Sequence, residues 1–348
     1  MNASALRFEL PPYLEAAVPP EARGLPRDGV RLLVLRRATG EVEHATFRDL
    51  PRFLRPGDLL VVNRSRTLPA SLPALWRDRP LRIHLSTELG GGCWIIEPRA
   101  ADGSPWGDEP LTAGAVLRIP GTGTAVRVHD RYRGFARLYL ASAAGDLRAA
   151  AETAGEPIRY GYVRGRWPLA YYQTMFAAEP GSAEMPSAGR PFTPRLVRAL
   201  RARGVGLAGI VLHTGVSSHE ITSARVEEHP VYPEWYTVPP RTAGAVNATR
   251  RRGGRVIAVG TTVVRALETV ANQQGQVRPG SGWTELFIKP GDRLRAVDGL
   301  ITGLHPPLTS HLALLGALVP PELLLGAYAE AVRRGYLWHE FGDANLIL

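Results

Sequence analysis

VIAVGTTVVRALETV, residues 256–270, places an apolar strand directly against a helix with one glycine between them. Gly260 lets the chain approach a ligand closely, and Thr261 or Thr262 caps the helix that follows. The free N–H groups and hydroxyls of that helix start suit a carboxylate or a ribose. On its own the segment is an ordinary strand–helix joint. Its neighbours repeat the rhythm: a helix over 194–203, a strand over 206–213, a helix over 242–252, a strand over 283–288 and two helices over 307–318 and 320–334. Such alternation is the pattern of an α/β body with a largely parallel or barrel-like sheet.

The first 65 residues read as strands and turns: a strand over 30–35, a hairpin turn at Thr39-Gly40, a pairing strand over 41–47 and a buried strand over 59–62. From 68 to 142 the texture changes to short β runs (81–85, 93–96, 115–119, 125–128, 135–140) between Gly, Pro and Asp turns. This predicts a small antiparallel β-barrel inserted into the body, with 1–67 and 143–348 forming the α/β remainder.

Composition narrows the function. No run of about 18 apolar residues predicts a membrane span, and the start lacks the pattern of a secretory signal. Cys93 is the one cysteine, which excludes an internal disulfide and fits a reducing cytoplasm. The net charge is +10, and arginine supplies every basic residue except Lys289. A basic excess is the footprint of a protein that handles phosphates, nucleic acid among them.

Polar clusters recur at strand ends and helix starts: Asn63-Arg64-Ser65-Arg66, Ser187–Gly189, His213-Thr214-Gly215, Gly260-Thr261-Thr262, Thr302-Gly303-Leu304-His305 and Gly342-Asp343-Ala344. One shared crevice is the expectation. The turn before the helix at 194 belongs to this set, with Thr193 as cap and Pro194 at the first helical position. Histidines at 213, 219 and 229 lack zinc spacing, so no metal is expected. G-x-S-x-G and G-x-x-x-x-G-K-[ST] are absent and no G-x-G-x-x-G follows the early strands, which disfavours serine hydrolysis and loop-bound nucleotide cofactors.

Segments spread along almost the whole chain carry a resemblance: FELPPYL, RLLVLRRATGEVEHATFRDLPRFLRPGDLLVVNRSRTLPASL, YYQTMFA, MPSAGRPFT, IVLHTG, VIAVGTTVVRALET, GWTELFIKPGDRL, LITGLHPP and FGDANLIL. In this order they resemble the S-adenosylmethionine:tRNA ribosyltransferase-isomerases of queuosine biosynthesis. The resemblance implies an α/β body with an inserted β-barrel, S-adenosylmethionine as a ribosyl donor, no metal, and the anticodon region of tRNA as partner. It also implies the reaction: the donor's ribosyl moves to the aminomethyl group of a 7-aminomethyl-7-deazaguanine wobble base and isomerises, giving epoxyqueuosine with loss of adenine and methionine. A cytoplasmic monomer is expected. His305 or His213 is assigned proton transfer, and Asp343 the orientation of a histidine or a ribose hydroxyl. Asn63, Arg66, Gln173, Ser187, Gly189, Gly215, Glu234, Thr261, Thr262 and Arg265 are assigned to substrate binding. A pair with Glu268 is the competing role for Arg265, helix capping that for His305, and a solvated face that for Arg195, Arg198 and Arg201.

The chain departs from the family in its polar motifs. Arg190-Pro191 stands where P-T-A-G-L-H-F-T has leucine and histidine, and Thr214-Gly215-Val216-Ser217-Ser218-His219 replaces V-G-x-G-T-F. Tyr232 replaces the second histidine of H-x-M-H-x-E. Asn63-Arg64-Ser65-Arg66 replaces N-D-T-R, and residues 303–310 lose an asparagine and a lysine from N-F-H-L-P-K-S-T. Two alternatives therefore stay open: a paralogue that gives the ribosyl group to a small-molecule acceptor, and a non-catalytic descendant that binds RNA or protein.

Overall fold

The structure is a computed structural model and describes residues 1–107, 109–216, 221 and 223–348. Ser217, Ser218 and His219, which carry one of the altered motifs, lie outside the described residues. The N-terminal part supplies β1 (Arg31–Leu35), β2 (Val42–Thr46), β3 (Leu59–Asn63) and β4 (Ser65–Thr67). Six strands follow: β5 (Ser71–Trp76), β6 (Arg79–Gly90), β7 (Cys93–Ala100), β8 (Val116–Ile119), β9 (Thr124–Arg131) and β10 (Tyr139–Ala144). The chain returns through α1 (Leu147–Ala154), β11 (Glu179–Ser182), α2 (Pro194–Ala202), β12 (Gly206–Leu212), β13 (Glu234–Val238) and α3 (Pro240–Arg251). It finishes with β14 (Val256–Val259), α4 (Thr261–Val270), β15 (Gly280–Thr284), β16 (Gly299–Gly303), α5 (Ser310–Leu315), α6 (Pro321–Arg333) and β17 (Ala344–Ile347).

Nine strands form one sheet in the order β15-β13-β12-β3-β14-β16-β17-β1-β2. The pairs β12–β3, β3–β14, β14–β16 and β17–β1 are parallel and the others antiparallel, so the sheet is mixed rather than largely parallel. The reversals have local causes: β2 returns from β1 by a hairpin, and among the described residues only a single 3₁₀ turn, Val226–Glu228, separates β12 from β13. The strand expected over 283–288 is β15, which ends at Thr284.

Both faces of the central sheet are covered. Leu59 and Val61 share one core with Ile210, Leu212, Val256, Ala258 and residues of α3 and α4. Leu60 and Val62 turn to a second core with Ile257, Val259, Leu196 and Leu200. Two-sided burial is why these strands are apolar runs rather than alternating ones. The cap expected for α2 is made: Thr193 Oγ1 accepts the N–H of Leu196 at 3.2 Å, with Pro194 opening the helix.

The inserted strands close into a barrel, β10-β7-β6-β5-β8-β9, around Trp76, Leu85, Ile96, Leu117 and Val126. Among the described residues no helix is long and apolar enough to cross a membrane.

Asp58 fixes the start of β3. Its carboxylate accepts the Arg255 guanidinium at 3.1 and 2.6 Å, the Arg255 N–H at 3.1 Å and the Arg55 N–H at 2.8 Å. Burial alone would raise this carboxyl, but Arg255 and the two backbone donors outweigh it and hold it below the usual range. Its stabilising contribution is therefore present above about pH 4 and is lost as pH falls through the lowered value. Asp58→Ala is expected to lower the urea unfolding free energy by about 3 kcal/mol, because it strands a partly buried arginine. An unchanged unfolding midpoint would remove this anchor from the account.

Candidate active site

The strands β3, β12, β14 and β16 end at one side of the sheet, and the polar clusters converge there. At the end of β14 the backbone turns through Gly260 at φ +100°, a conformation that excludes a side chain without strain. A Cβ on Gly260 would also lie 3.4 Å from Thr262 Oγ1. α4 then begins with no side chain capping it, so its first N–H groups remain for other partners.

Two adjoining hollows that share lining residues open at this edge. Glu184, Thr214, Thr261, Thr262 and His311 line both. The first lobe adds His229, Tyr232, Glu234, Arg265 and Phe287. The second adds Tyr160, Ser187, Thr302, His305, His339 and Glu340.

The titratable groups here are held close to neutral form. Burial pushes the Glu184 carboxyl up to about 7, although the Tyr160 hydroxyl donates to it at 3.0 Å. Burial, and then the charge of Glu184, push Glu340 up to about 8. Glu340 Oε2 is buried without a hydrogen-bond partner. The imidazoles move the other way: burial and the Arg265 charge bring His311 down to about 4, and burial with His311 brings His339 to about 3. His305 stacks on His311, with centroids 4.9 Å apart and planes 9° from parallel. Burial and those two histidines hold it well below the usual imidazole range. Its Nε2 lies 2.7 Å from Thr302 Oγ1. At neutral pH the site thus offers uncharged imidazoles as proton acceptors and carboxyl groups poised to give or take a proton.

Of the residues singled out in the sequence, Ser187, Glu234, Thr261, Thr262, Arg265 and His305 face these hollows. Others stand behind the wall. Asn63 bridges to β12 through Leu212 and to Thr262. Gln173 exchanges two hydrogen bonds with the backbone of Thr67, at 2.7 and 3.1 Å. Gly189 fits against Thr174, and Gly215, whose N–H donates to Glu234 at 3.1 Å, leaves room for Ser86 and Thr87 of the barrel. Arg66 is exposed.

His213 is not among the residues that line either hollow. Its Nδ1 lies 2.7 Å from Ser65 Oγ, and a Cβ on Gly181 would come within 2.5 Å of its ring. Asp343 also lies outside the two lobes, and among the described residues its carboxylate is hydrogen-bonded to no histidine. It accepts the Arg31 N–H at 2.8 Å, the Arg31 guanidinium and the Leu337 N–H at 2.8 Å, which ties the C-terminal loop to β1. Arg265 pairs with Glu234 rather than Glu268, which instead accepts the N–H groups of Arg295, Ala296 and Val297.

The altered turn at 190–191 has a structural account. Arg190 is buried and gives both Glu21 carboxylate oxygens hydrogen bonds, at 3.0 and 2.9 Å, and the Tyr171 carbonyl another at 2.9 Å. Its guanidinium also lies over the Phe341 ring. Tyr232 is taken up in a similar way, with its ring 4.1 Å from Phe135 in the barrel domain. Neither side chain is waiting for a ligand anion.

Sequence reasoning missed Glu184, Glu340, Tyr160, His311 and His339. Glu184 and Glu340 each immediately precede a recognised motif, MPSAGRPFT and FGDANLIL, and that adjacency was the available signal. Among the described residues no group of three or more His, Cys, Asp or Glu is arranged to hold a metal ion.

An α/β body with an inserted β-barrel and buried, pKa-shifted carboxyls and imidazoles in a hollow at its strand ends has the make-up of an enzyme site. A family profile described as Queuosine biosynthesis protein matches residues 3–347. The chain is 41% identical over 358 residues, all of both chains, to the S-adenosylmethionine:tRNA ribosyltransferase-isomerase of Moorella thermoacetica. It is 38% identical over 355 residues, again all of both chains, to that of Thermotoga maritima. The crystal structure of an S-adenosylmethionine tRNA ribosyltransferase from Thermotoga maritima matches 99% of this chain and 100% of that one, with a TM-score of 0.55 and 32% identity. The chain belongs to the queuosine biosynthesis protein family.

The raised carboxyls give a pH signature. A carboxyl whose folded value lies above its unfolded one stabilises below about 4.5 and loses that contribution as pH rises through the folded value. Glu184 at about 7 and Glu340 at about 8 therefore contribute a fall in stability between pH 5 and pH 8, while the lowered imidazoles of His213, His311 and His339 contribute a rise up to about pH 6.5. The urea stability of the parent relative to the Glu184→Gln/Glu340→Gln variant is expected to fall over that range, because the histidine contribution is common to both. A pH-independent difference between the two would remove the carboxyls from this account.

Proposed function

We propose that the enzyme uses S-adenosylmethionine as a ribosyl donor and passes the ribosyl group to the aminomethyl nitrogen of a 7-aminomethyl-7-deazaguanine at the wobble position of tRNA. The transferred group isomerises to the epoxycyclopentane of epoxyqueuosine, and adenine and methionine leave. The observation that carries this reading is the buried pair of carboxyls, Glu184 and Glu340, beside the neutral stack of His305 and His311 in one hollow. The reaction needs both kinds of group. The sulfonium acidifies the adjacent ribose carbon, so a neutral acceptor must take its proton, and departing adenine needs a donor.

In this assignment His305 is the proton acceptor and Glu184, shared by both lobes, is the group that returns a proton. The unpartnered Glu340 oxygen supports a ligand amino group as its donor, since buried polar atoms are rarely left unmet. Thr261 and Thr262, at the uncapped start of α4, are placed on the methionine carboxylate or the ribose hydroxyls. Arg265, bound to Glu234 and to the Leu286 carbonyl at 2.9 Å, positions the wall of the first lobe. His213 and Asp343 become positioning residues, through Ser65 and Arg31 respectively. The net charge of +10 supports tRNA as the acceptor-bearing partner. Because Glu21 already binds Arg190, the changed turn gives no support to a different acceptor.

The test supplies the purified enzyme with S-adenosylmethionine, with and without tRNA carrying the aminomethyl-deazaguanine, and assays adenine and methionine. Release only with the modified tRNA is expected; release without it, or none in either tube, would overturn the proposal. Glu184→Gln should lower kcat by about 10²- to 10⁴-fold while S-adenosylmethionine binding persists. A kcat within twofold of the parent would remove Glu184 from proton transfer.

A further inference from the structure

Tyr160 lies in the connection between α1 and β11, and the local backbone fixes its place. The Val163 N–H donates to the Tyr160 carbonyl at 3.0 Å, and the Arg164 N–H to the Ala17 carbonyl at 2.7 Å. Two rings pack against the phenol: Tyr162 stacks on it, centroids 5.7 Å apart and planes 10° from parallel, and His339 meets it edge-on at 4.3 Å. So held, the Tyr160 hydroxyl reaches Glu184 Oε2 at 3.0 Å, and both residues line the second lobe.

A phenol in this place keeps its proton. Burial, then the charges of Glu184 and Glu340, holds Tyr160 well above the usual phenol range, so it donates to Glu184 at every working pH. Burial is the larger influence on Glu184 and raises it, while the Tyr160 hydrogen bond favours the charged form and opposes the rise. The same bond distinguishes the two carboxyl oxygens. Oε2 accepts the phenol proton, and a carboxylic acid accepts at its carbonyl oxygen, so the acid proton belongs on Oε1. The other charged and titratable groups around Glu184 do not depend on this hydroxyl. Glu97 and Arg137 act on it from the barrel and Glu234 from β13. His229, Tyr232 and Arg265 line the first lobe with it, His311 both lobes, and His305, His339 and Glu340 the second.

We propose that Tyr160 is the positioning residue for the proton that Glu184 delivers, its hydroxyl holding Oε2 so that the proton leaves from Oε1. This role rests on the assignment of Glu184 as proton donor above. The electron pair of the breaking ribose–adenine bond stays with adenine, which takes the proton from Oε1. The carboxylate left behind keeps the Tyr160 hydrogen bond, and the bond is stronger for the new charge. Tyr160 therefore supports Glu184 most once the proton has left, which is support for the reaction rather than for the resting site.

The experiment measures kcat/KM for adenine release against pH, with S-adenosylmethionine and the modified tRNA, for the parent, Tyr160→Phe and Glu184→Gln. Phenylalanine keeps the ring contacts and removes only the hydroxyl. In the parent the rate is expected to fall as pH rises through the Glu184 value of about 7, because the acid form is consumed. Tyr160→Phe removes support for the charged form, so its alkaline limb is expected about one pH unit higher, with KM for S-adenosylmethionine unchanged. A limb that stays at the parent's pH in Tyr160→Phe, while Glu184→Gln loses it, would overturn the role of Tyr160 and leave Glu184 as the acid. A Glu184→Gln variant with the parent's rate and limb would overturn both. A raised KM for S-adenosylmethionine in Tyr160→Phe, with the limb unmoved, would make Tyr160 a binding residue instead.

Discussion

The site depends on one buried amide. Asn63, the last residue of β3, uses its side chain in four hydrogen bonds: it donates to the Leu212 carbonyl at 2.8 Å and to Thr262 Oγ1 at 3.3 Å, and accepts the N–H groups of Leu212 and Ser65 at 3.1 and 3.0 Å. β3 and β12 are parallel neighbours, and where a parallel ladder ends its backbone groups lose their partners. Asn63 replaces those partners with a side chain and reaches across to the start of α4. Three elements are thereby held in register at the point where the hollow opens. An apolar residue of the same shape would leave the Leu212 N–H and carbonyl unmet, each at a cost of ~1–3 kcal/mol.

Around that clamp the site is lined by buried imidazoles and carboxyls, and this decides its chemistry. Stacked neutral imidazoles and raised carboxyls are stable together because burial penalises the charged form of each. A cationic donor entering such a place meets carboxyls able to release protons and imidazoles able to accept them. The arginines follow a different logic. Arg190, Arg265 and Arg255 are each engaged by a carboxylate within the protein.

The fold was legible where a segment obeyed one period and carried its own punctuation. β3 and β14 are two-sided apolar runs, α2 has Thr193 and Pro194, and α4 follows a glycine. The strands β13, β16 and β17 were not, because Glu234–Val238 alternates polar and aromatic residues while Gly299–Gly303 and Ala344–Ile347 are short. Motif position likewise located the crevice: Thr261, Thr262, Glu234, Arg265, Ser187 and His305 all face it. It could not separate residues that face the hollow from those that brace it, as His213 and Asp343 do. Nor could it find Glu184 and Glu340, whose shifted protonation arises only when residues 160, 184 and 340, distant in sequence, are buried side by side.

The central claim is that the hollow between α4 and the His305–His311 stack holds S-adenosylmethionine with its ribose at Glu184. A crystal structure of the enzyme with S-adenosylmethionine tests it most directly. The account predicts ribose or adenine atoms within hydrogen-bond distance of the Glu184 carboxyl, and the methionine carboxylate at the start of α4. A donor bound instead in the separate recess lined by Arg190, Pro191 and Asp343, with the Glu184 side empty, would contradict it.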